Sequence, residues 1–223
     1  MPVEGAKKEI EKVTRQLIGL SPKYIFKKLD SVLRGHIYEE LISQQKASSK
    51  KRVIVIPANP HFNRIIRDGI YQINGIPLAE TSFAGDPEFP VNKSNVRDII
   101  GGGTEMVLSL NVSDQLPDEG FTIGNVIREQ DLIAWAEKTD ENTLVAGGSG
   151  FFEALLQKDF PEIKAAPCMN CFLGRNVLFI FGSTWPKDTE TINRFREADA
   201  EILNLPEPIF HNQPDRSSVQ EWS

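Results

Sequence analysis

Residues 24–56 read YIFKKLDSVLRGHIYEELISQQKASSKKRVIVI, and the order of patterns within them decides the fold. Tyr24 to Lys28 is a short apolar run that suits a buried strand. Gly35 to Lys46 then places Ile37, Leu41 and Ile42 on one helical face. The locally basic stretch Lys46 to Arg52 is a solvated connector, and Arg52 to Ile56 (RVIVI) is an unbroken apolar run of the kind buried on both faces. A strand, a helix and a second strand in succession predict parallel pairing with the helix as crossover.

The same alternation continues outward. Glu4 to Leu20 reads as a helix with Ile10, Val13, Leu17 and Ile18 on its inner face, ended by Ser21-Pro22 because proline disfavours helix before it. Downstream, Gly69 to Ile73 and Ile76 to Glu80 flank Asn74-Gly75, a pair suited to the two positive φ angles of a type I′ turn, which predicts a β-hairpin. Asp86 to Pro90 is loop, and Ser94 is expected to cap a short helix over Asn95 to Ile100. Strands follow at Met106 to Leu110, Phe121 to Val126 and Thr143 to Ala146, with helices at Arg128 to Lys138 and Phe151 to Lys158. The expected fold is α/β: a three-layer, mostly parallel sheet with crossover helices and an inserted β-hairpin. Beyond Phe160 the chain becomes a proline-containing connector, then gives one strand at Val177 to Phe181, a helix at Lys187 to Ile202 and an aperiodic tail.

Composition excludes several classes. The 223 residues are 40% hydrophobic and 25% charged, ordinary for a globular chain and far from the composition of disorder. A chain of this length buries roughly 70% of its unfolded surface, so folding needs neither disulfide nor metal. With 31 acidic against 25 basic residues the net charge is −6, which argues against nucleic acid as a partner. No stretch approaches the roughly 18 apolar residues of a membrane span, and a cytoplasmic protein is expected. Cys168 and Cys171 form a lone C-x-x-C without the four ligands of a zinc site, so no metal is expected and the thiols read as inert.

In open α/β sheets ligands bind beyond the carboxyl ends of the strands, and three junctions there carry suggestive residues. Lys27 to His36 gathers cations, a carboxylate, a hydroxyl and a glycine. Asp30 or Ser31 could cap a helix with Arg34 solvated, or Asp30 could accept sugar hydroxyls while Arg34 grips a carboxylate. The glycines of Gly147 to Gly150 could present backbone N–H groups to an anion or serve close strand-to-helix packing. Gly182-Ser183-Thr184 could hold phosphate or cap the following helix.

Four stretches together resemble a known family. YIFKKLDSVLRGHIYEEL is similar to the K-K-x-D-S-x-x-R-G signature of the four-carbon acid sugar kinases, in their sugar-binding N-terminal domain. INGIPLAETSFAGDPEFPV is similar to that family's second hallmark, AGGSGFFEALL to its glycine-rich turn, and VLFIFGSTWPKDTETI to the start of its C-terminal nucleotide-binding domain. The resemblance implies ATP-dependent phosphorylation of a four-carbon sugar acid such as threonate, erythronate or a 3-oxo-tetronate. Lys28, Asp30, Ser31, Arg34 and Gly35 would bind the sugar acid, Gly182 and Ser183 the nucleotide, with ATP and Mg2+ as cofactors. No catalytic residue is singled out.

The sequence also departs from the family pattern. His36 stands where the family commonly has Asn, and Thr184-Trp185 alters its Ser-x-Ser. The Asp-Asp-x-Thr-Gly-Ala strand end with which the family begins is not found. The expected organisation is therefore a sugar-acid-binding domain over 1–160 without its first strands, a linker over 161–176, a first βα unit over 177–203 and an irregular tail over 204–223. On this reading the chain alone is an impaired kinase, or alternatively a non-catalytic sugar-acid-binding module, and an exposed sheet edge favours homo-oligomers.

Overall fold

In the computed structural model, residues 2–86, 90–101, 107–162, 186–197 and 201–203 are described, with the backbone alone for 186–191. The chain divides into two compact units, Met1–Ala165 and Ala166–Ser223. In the first, β1 (Phe26–Lys28), β2 (Arg52–Ile56), β6 (Val107–Leu110), β7 (Gly120–Gly124) and β8 (Thr143–Gly147) form a five-stranded parallel sheet in the order β1-β8-β2-β7-β6. The RVIVI strand takes the centre, where Val53, Ile54, Val55 and Ile56 are wholly buried. An unbroken β-branched run suits that place because side chains on both faces must be apolar.

Register assigns the helices to the two faces. Phe121 is level with Val53, which is level with Leu144, so all three project from one face. There Phe121 meets Tyr38 of α2 (Ile37–Ser48), ring centroids 5.6 Å apart, and α1 (Val3–Ile18) packs on α2. Phe26, Val145 and Ile54 project from the other face, where Phe26 lies 4.9 Å from Phe152 of α5 (Ser149–Asp159). Trp135 of α4 (Glu129–Glu137) packs over Gly124 on that same face. The result is the three-layer α/β arrangement read from the sequence.

One expected helix face is rotated. Ala6 and Thr14 are the buried residues of α1, with Ile10 and Leu17 half-buried, whereas Val13 and Ile18 are exposed. The reason is that α1 rests on α2, and the line through residues 6, 10, 14 and 17 is the stripe that fits a neighbouring helix.

The inserted hairpin is present and larger than expected. Strands β3 (Arg64–Arg67), β4 (Ile70–Ile73) and β5 (Ile76–Pro77) form a three-stranded antiparallel sheet. Its second turn is Asn74-Gly75, with φ of +53° and +80°, and its first is Asp68-Gly69, with +50° and +76°. Both are two-residue turns with the positive φ pair of type I′. Bridges Asn59↔Arg64, Ile66↔Val126 and Ile70↔Asn95 fasten this sheet beyond the carboxyl ends of β2 and β7. The expected strand over Ile76 to Glu80 stops at Pro77, and residues Leu78–Glu80 form a single 3-10 turn.

The cap of the short helix α3 (Val96–Ile100) is also corrected. Asn95, not Ser94, accepts the backbone N–H of Arg97 at 3.0 Å, while the Ser94 hydroxyl accepts from the backbone of Ala79 at 2.9 Å. Ser94 is thus the tie between the hairpin's exit and α3. In the second unit the helix α6 (Pro186–Glu197) opens on proline, which suits a first helical position lacking an N–H partner. It ends before the expected Ile202, since residues 201–203 are not helical. The expected strand Val177 to Phe181, Cys168, Cys171 and the tail from residue 204 lie outside the described residues. Among the described residues no helix is long and apolar enough to cross a membrane.

Candidate functional site

The loop after β1 is organised by one carboxylate. Asp30 Oδ2 accepts the backbone N–H groups of Val32 at 3.1 Å and Arg34 at 3.2 Å, which closes the loop on itself. Arg34 then folds back so that its Nε donates to Asp30 Oδ2 at 3.0 Å and its Nη2 to Oδ1 at 2.9 Å. Its Nη1 reaches Asp86 Oδ2, also at 2.9 Å. Burial would raise the Asp30 pKa, but the hydrogen bonds from the Arg34 side chain and from the Arg34 and Val32 backbones outweigh it. Together with the Arg34 charge they hold the carboxyl below its usual range. Arg34 is shifted upward, chiefly by the Asp30 hydrogen bond.

This geometry bears on both readings of the loop. Capping does not occur, since α2 begins at Ile37 behind His36, which makes no side-chain cap bond. Arg34 is not a free carboxylate grip either, because its Nε/Nη2 edge is committed to Asp30. Two carboxylates and one guanidinium leave a single net negative charge.

The lysines beside it are turned elsewhere. Successive strand residues point to opposite faces, so Lys27 pairs with Glu40 of α2 at 2.6 Å. Lys28 is exposed and its ammonium donates to the Leu29 carbonyl. Ser31 is half-buried, and Gly35 is exposed at φ +100°. Leu33 is buried between them at φ +64°, a left-handed conformation that costs a branched side chain about 1–2 kcal/mol. Arg34 and Gly35 also border an open cleft of ≈ 380 Å³, with Leu33, Val91, Lys93 and Asp98.

The hairpin braces the loop from above. Tyr71 of β4 is wholly buried, and its hydroxyl donates to the Ser31 carbonyl at 2.7 Å while lying 3.5 Å from that of Pro57. Burial pushes its pKa above the ordinary value. Neither Tyr71 nor Asp86 is singled out as a site residue in sequence, although Asp86 stands within the stretch similar to the family's second hallmark. Asp86 sits 52 positions from its partner in what reads as plain loop, and Tyr71 reads as a strand residue.

The glycine turn after β8 serves packing. A Cβ on Gly147 would fall 2.1 Å from the Ile56 carbonyl oxygen, and one on Gly148 2.9 Å from that of Pro57. Ser149, at the start of α5, accepts a hydrogen bond from the Asn59 side chain at 3.1 Å. A smaller cavity of ≈ 190 Å³, bordered by Lys23, Tyr24, Asp140 and Asp159, lies at the amino ends of β1 and β8, opposite this site. Among the described residues no three His, Cys, Asp or Glu side chains gather to hold a metal ion. Gly182 and Ser183, expected at the nucleotide, lie outside the described residues.

Comparison with known proteins agrees with this architecture. A family model described as the sugar-binding N-terminal domain matches residues 1–155. A D-threonate kinase of Salmonella typhimurium is 28% identical over 151 residues, covering 59% of this chain and 35% of that protein. A D-erythronate kinase of Heliobacterium modesticaldum is 31% identical over 98 residues, covering 44% of this chain and 22% of that protein. The chain therefore spans about a third or less of the length of these relatives. Among solved structures, a domain of unknown function from Bordetella bronchiseptica, a domain-swapped dimer with bound citrate, matches with a TM-score of 0.64 at 20% identity. That match covers 75% of this chain and 45% of the other, and it shows a shared fold.

Proposed function

The chain belongs to the sugar-binding N-terminal domain family, and on that premise we propose that its first unit binds a four-carbon sugar acid for ATP-dependent phosphorylation. Threonate, erythronate or a 3-oxo-tetronate is the proposed substrate, since relatives that match it are named as kinases of those acids. The observation that carries the proposal is the Asp30–Arg34–Asp86 cluster at the strand ends. Asp30 Oδ1 accepts one hydrogen bond from Arg34 and retains acceptor capacity for a sugar hydroxyl. A carboxylate held below its usual range is a weak base, so Asp30 orients that hydroxyl. Arg34 fixes the carboxylate and neutralises part of its charge.

ATP with Mg2+ would supply the phosphoryl group and neutralise its charge. Gly182 and Ser183, named for the nucleotide, lie outside the described residues, so they belong to the proposal. So does self-association: β1 pairs with β8 alone among the described residues and forms an edge of the sheet. Light scattering at high concentration tests it, and a clean monomer counts against it.

Thermal shift of the purified chain tests the function. D-threonate, D-erythronate or a 3-oxo-tetronate should raise the melting midpoint as its concentration rises, and no rise with any of them overturns the proposal. A further rise with MgATP marks a kinase, whereas a response to sugar acid alone marks a non-catalytic binding module.

A further inference from the structure

If the site takes a sugar acid, something must receive the acid's carboxylate, and of the cations after β1 both Lys27 and Arg34 are already paired with carboxylates. Lys27 is paired with Glu40, Lys28 is exposed with its ammonium donating to the Leu29 carbonyl, and Arg34 is held between two carboxylates. One cation from another element stands differently. Arg64 opens β3, opposite Ile73, while Ile66 is opposite Tyr71. Strand alternation therefore puts Arg64, Ile66, Tyr71 and Ile73 on one face of the small sheet, and Ile66 and Tyr71 are wholly buried, so this face is turned inward. Arg64 is half-buried there, and its guanidinium has no hydrogen-bond or ion-pair partner among the described residues. Its backbone is held firmly, accepting from and donating to Asn59 at 2.8 and 3.1 Å, directly after β2.

A guanidinium without a partner, carried on the inward face of the small sheet, is an attraction to any anion that reaches it. Its diagonal neighbour Tyr71 places it close to the Asp30 loop, because the Tyr71 hydroxyl bonds to the Ser31 carbonyl. The titration of Tyr71 is consistent with this. After burial, the influences on it are the Arg64 charge, which lowers its pKa, and the Asp30 charge, which raises it. We infer that Arg64, standing on the inward face of β3 beside Tyr71, receives the substrate carboxylate while Asp30 takes the hydroxyls. The inference rests on the sugar-acid reading above and assigns the recognition of acid over neutral sugar to the hairpin.

The test is calorimetric titration of the full chain and its variants with D-threonate and with D-threonamide, in which a neutral amide replaces the carboxylate. Arg64→Met should weaken threonate binding about 10- to 100-fold, the usual worth of hydrogen bonds to a charged group, and leave threonamide within about twofold. Arg64→Lys should recover part of the loss, since it keeps the charge without the planar fork. Arg67→Met, on the exposed face of the same strand, should change neither ligand. Unchanged threonate binding in Arg64→Met, or equal losses for both ligands, overturns the assignment while leaving the sugar-acid reading intact. Loss of cooperative melting in both Arg64 variants likewise overturns it, in favour of a structural role. A parent chain that binds none of threonate, erythronate and a 3-oxo-tetronate overturns both.

Discussion

Asp30 holds its loop through a charged acceptor, so the loop's contribution to stability depends on pH. The folded pKa is lowered. The stabilisation is therefore present above the unfolded carboxyl value near 4 and is lost as pH falls through the lower folded value. Asp30→Asn should cost about 1–2 kcal/mol at pH 6, and the difference from the parent chain should shrink below pH 4 in urea denaturation. An equal difference at pH 6 and pH 3 would show that charge is not what holds the loop. At this scale Asp30 was legible because its turn partners lie within four positions. Asp86 and Arg64 were not, since each reaches the site through the tertiary fold from a stretch that reads locally as loop or strand. Lys27 and Lys28 separate for a simpler reason: adjacent strand residues look like one cluster in sequence and point to opposite faces in space.

Elements were legible where a single local rule governs them. RVIVI is a strand to the residue because burial on both faces leaves one solution. Asn74-Gly75 is readable as a type I′ turn, and Asp68-Gly69 carries the same φ pair in the structure. Ser94 and Asn95 are both good capping residues, so only the fold could decide between them. Glycines differ in the same way. Gly75→Ala forces a side chain to φ +80° in otherwise open space and should cost about 1–2 kcal/mol. Gly147→Ala drives a Cβ into the β2 backbone at Ile56 and should cost about 3 kcal/mol or more. Chemical denaturation of the two variants checks the order, and a reversed ranking would refute the close approach of β8 to β2.

At the scale of the molecule, the buried apolar cluster among the described residues runs from Leu29 to Leu155, inside the first unit. A chain ending at residue 165 should therefore melt cooperatively, within a few degrees of the full chain, and keep its response to threonate. A broad, non-cooperative melt monitored by circular dichroism would show that the core needs residues 166–223. Within that core the small sheet has a particular standing. It joins the main body by isolated bridges, by the Gly69 N–H on Asn125, by the Tyr71 hydroxyl and by the buried side chains of Ile66 and Tyr71, while the parallel strands pair with one another without it. Residues 64–77 are thus one continuous segment that carries Arg64 and Tyr71 together over the strand ends. Exchanging them between relatives should carry ligand preference across and leave the parallel scaffold of the recipient unchanged.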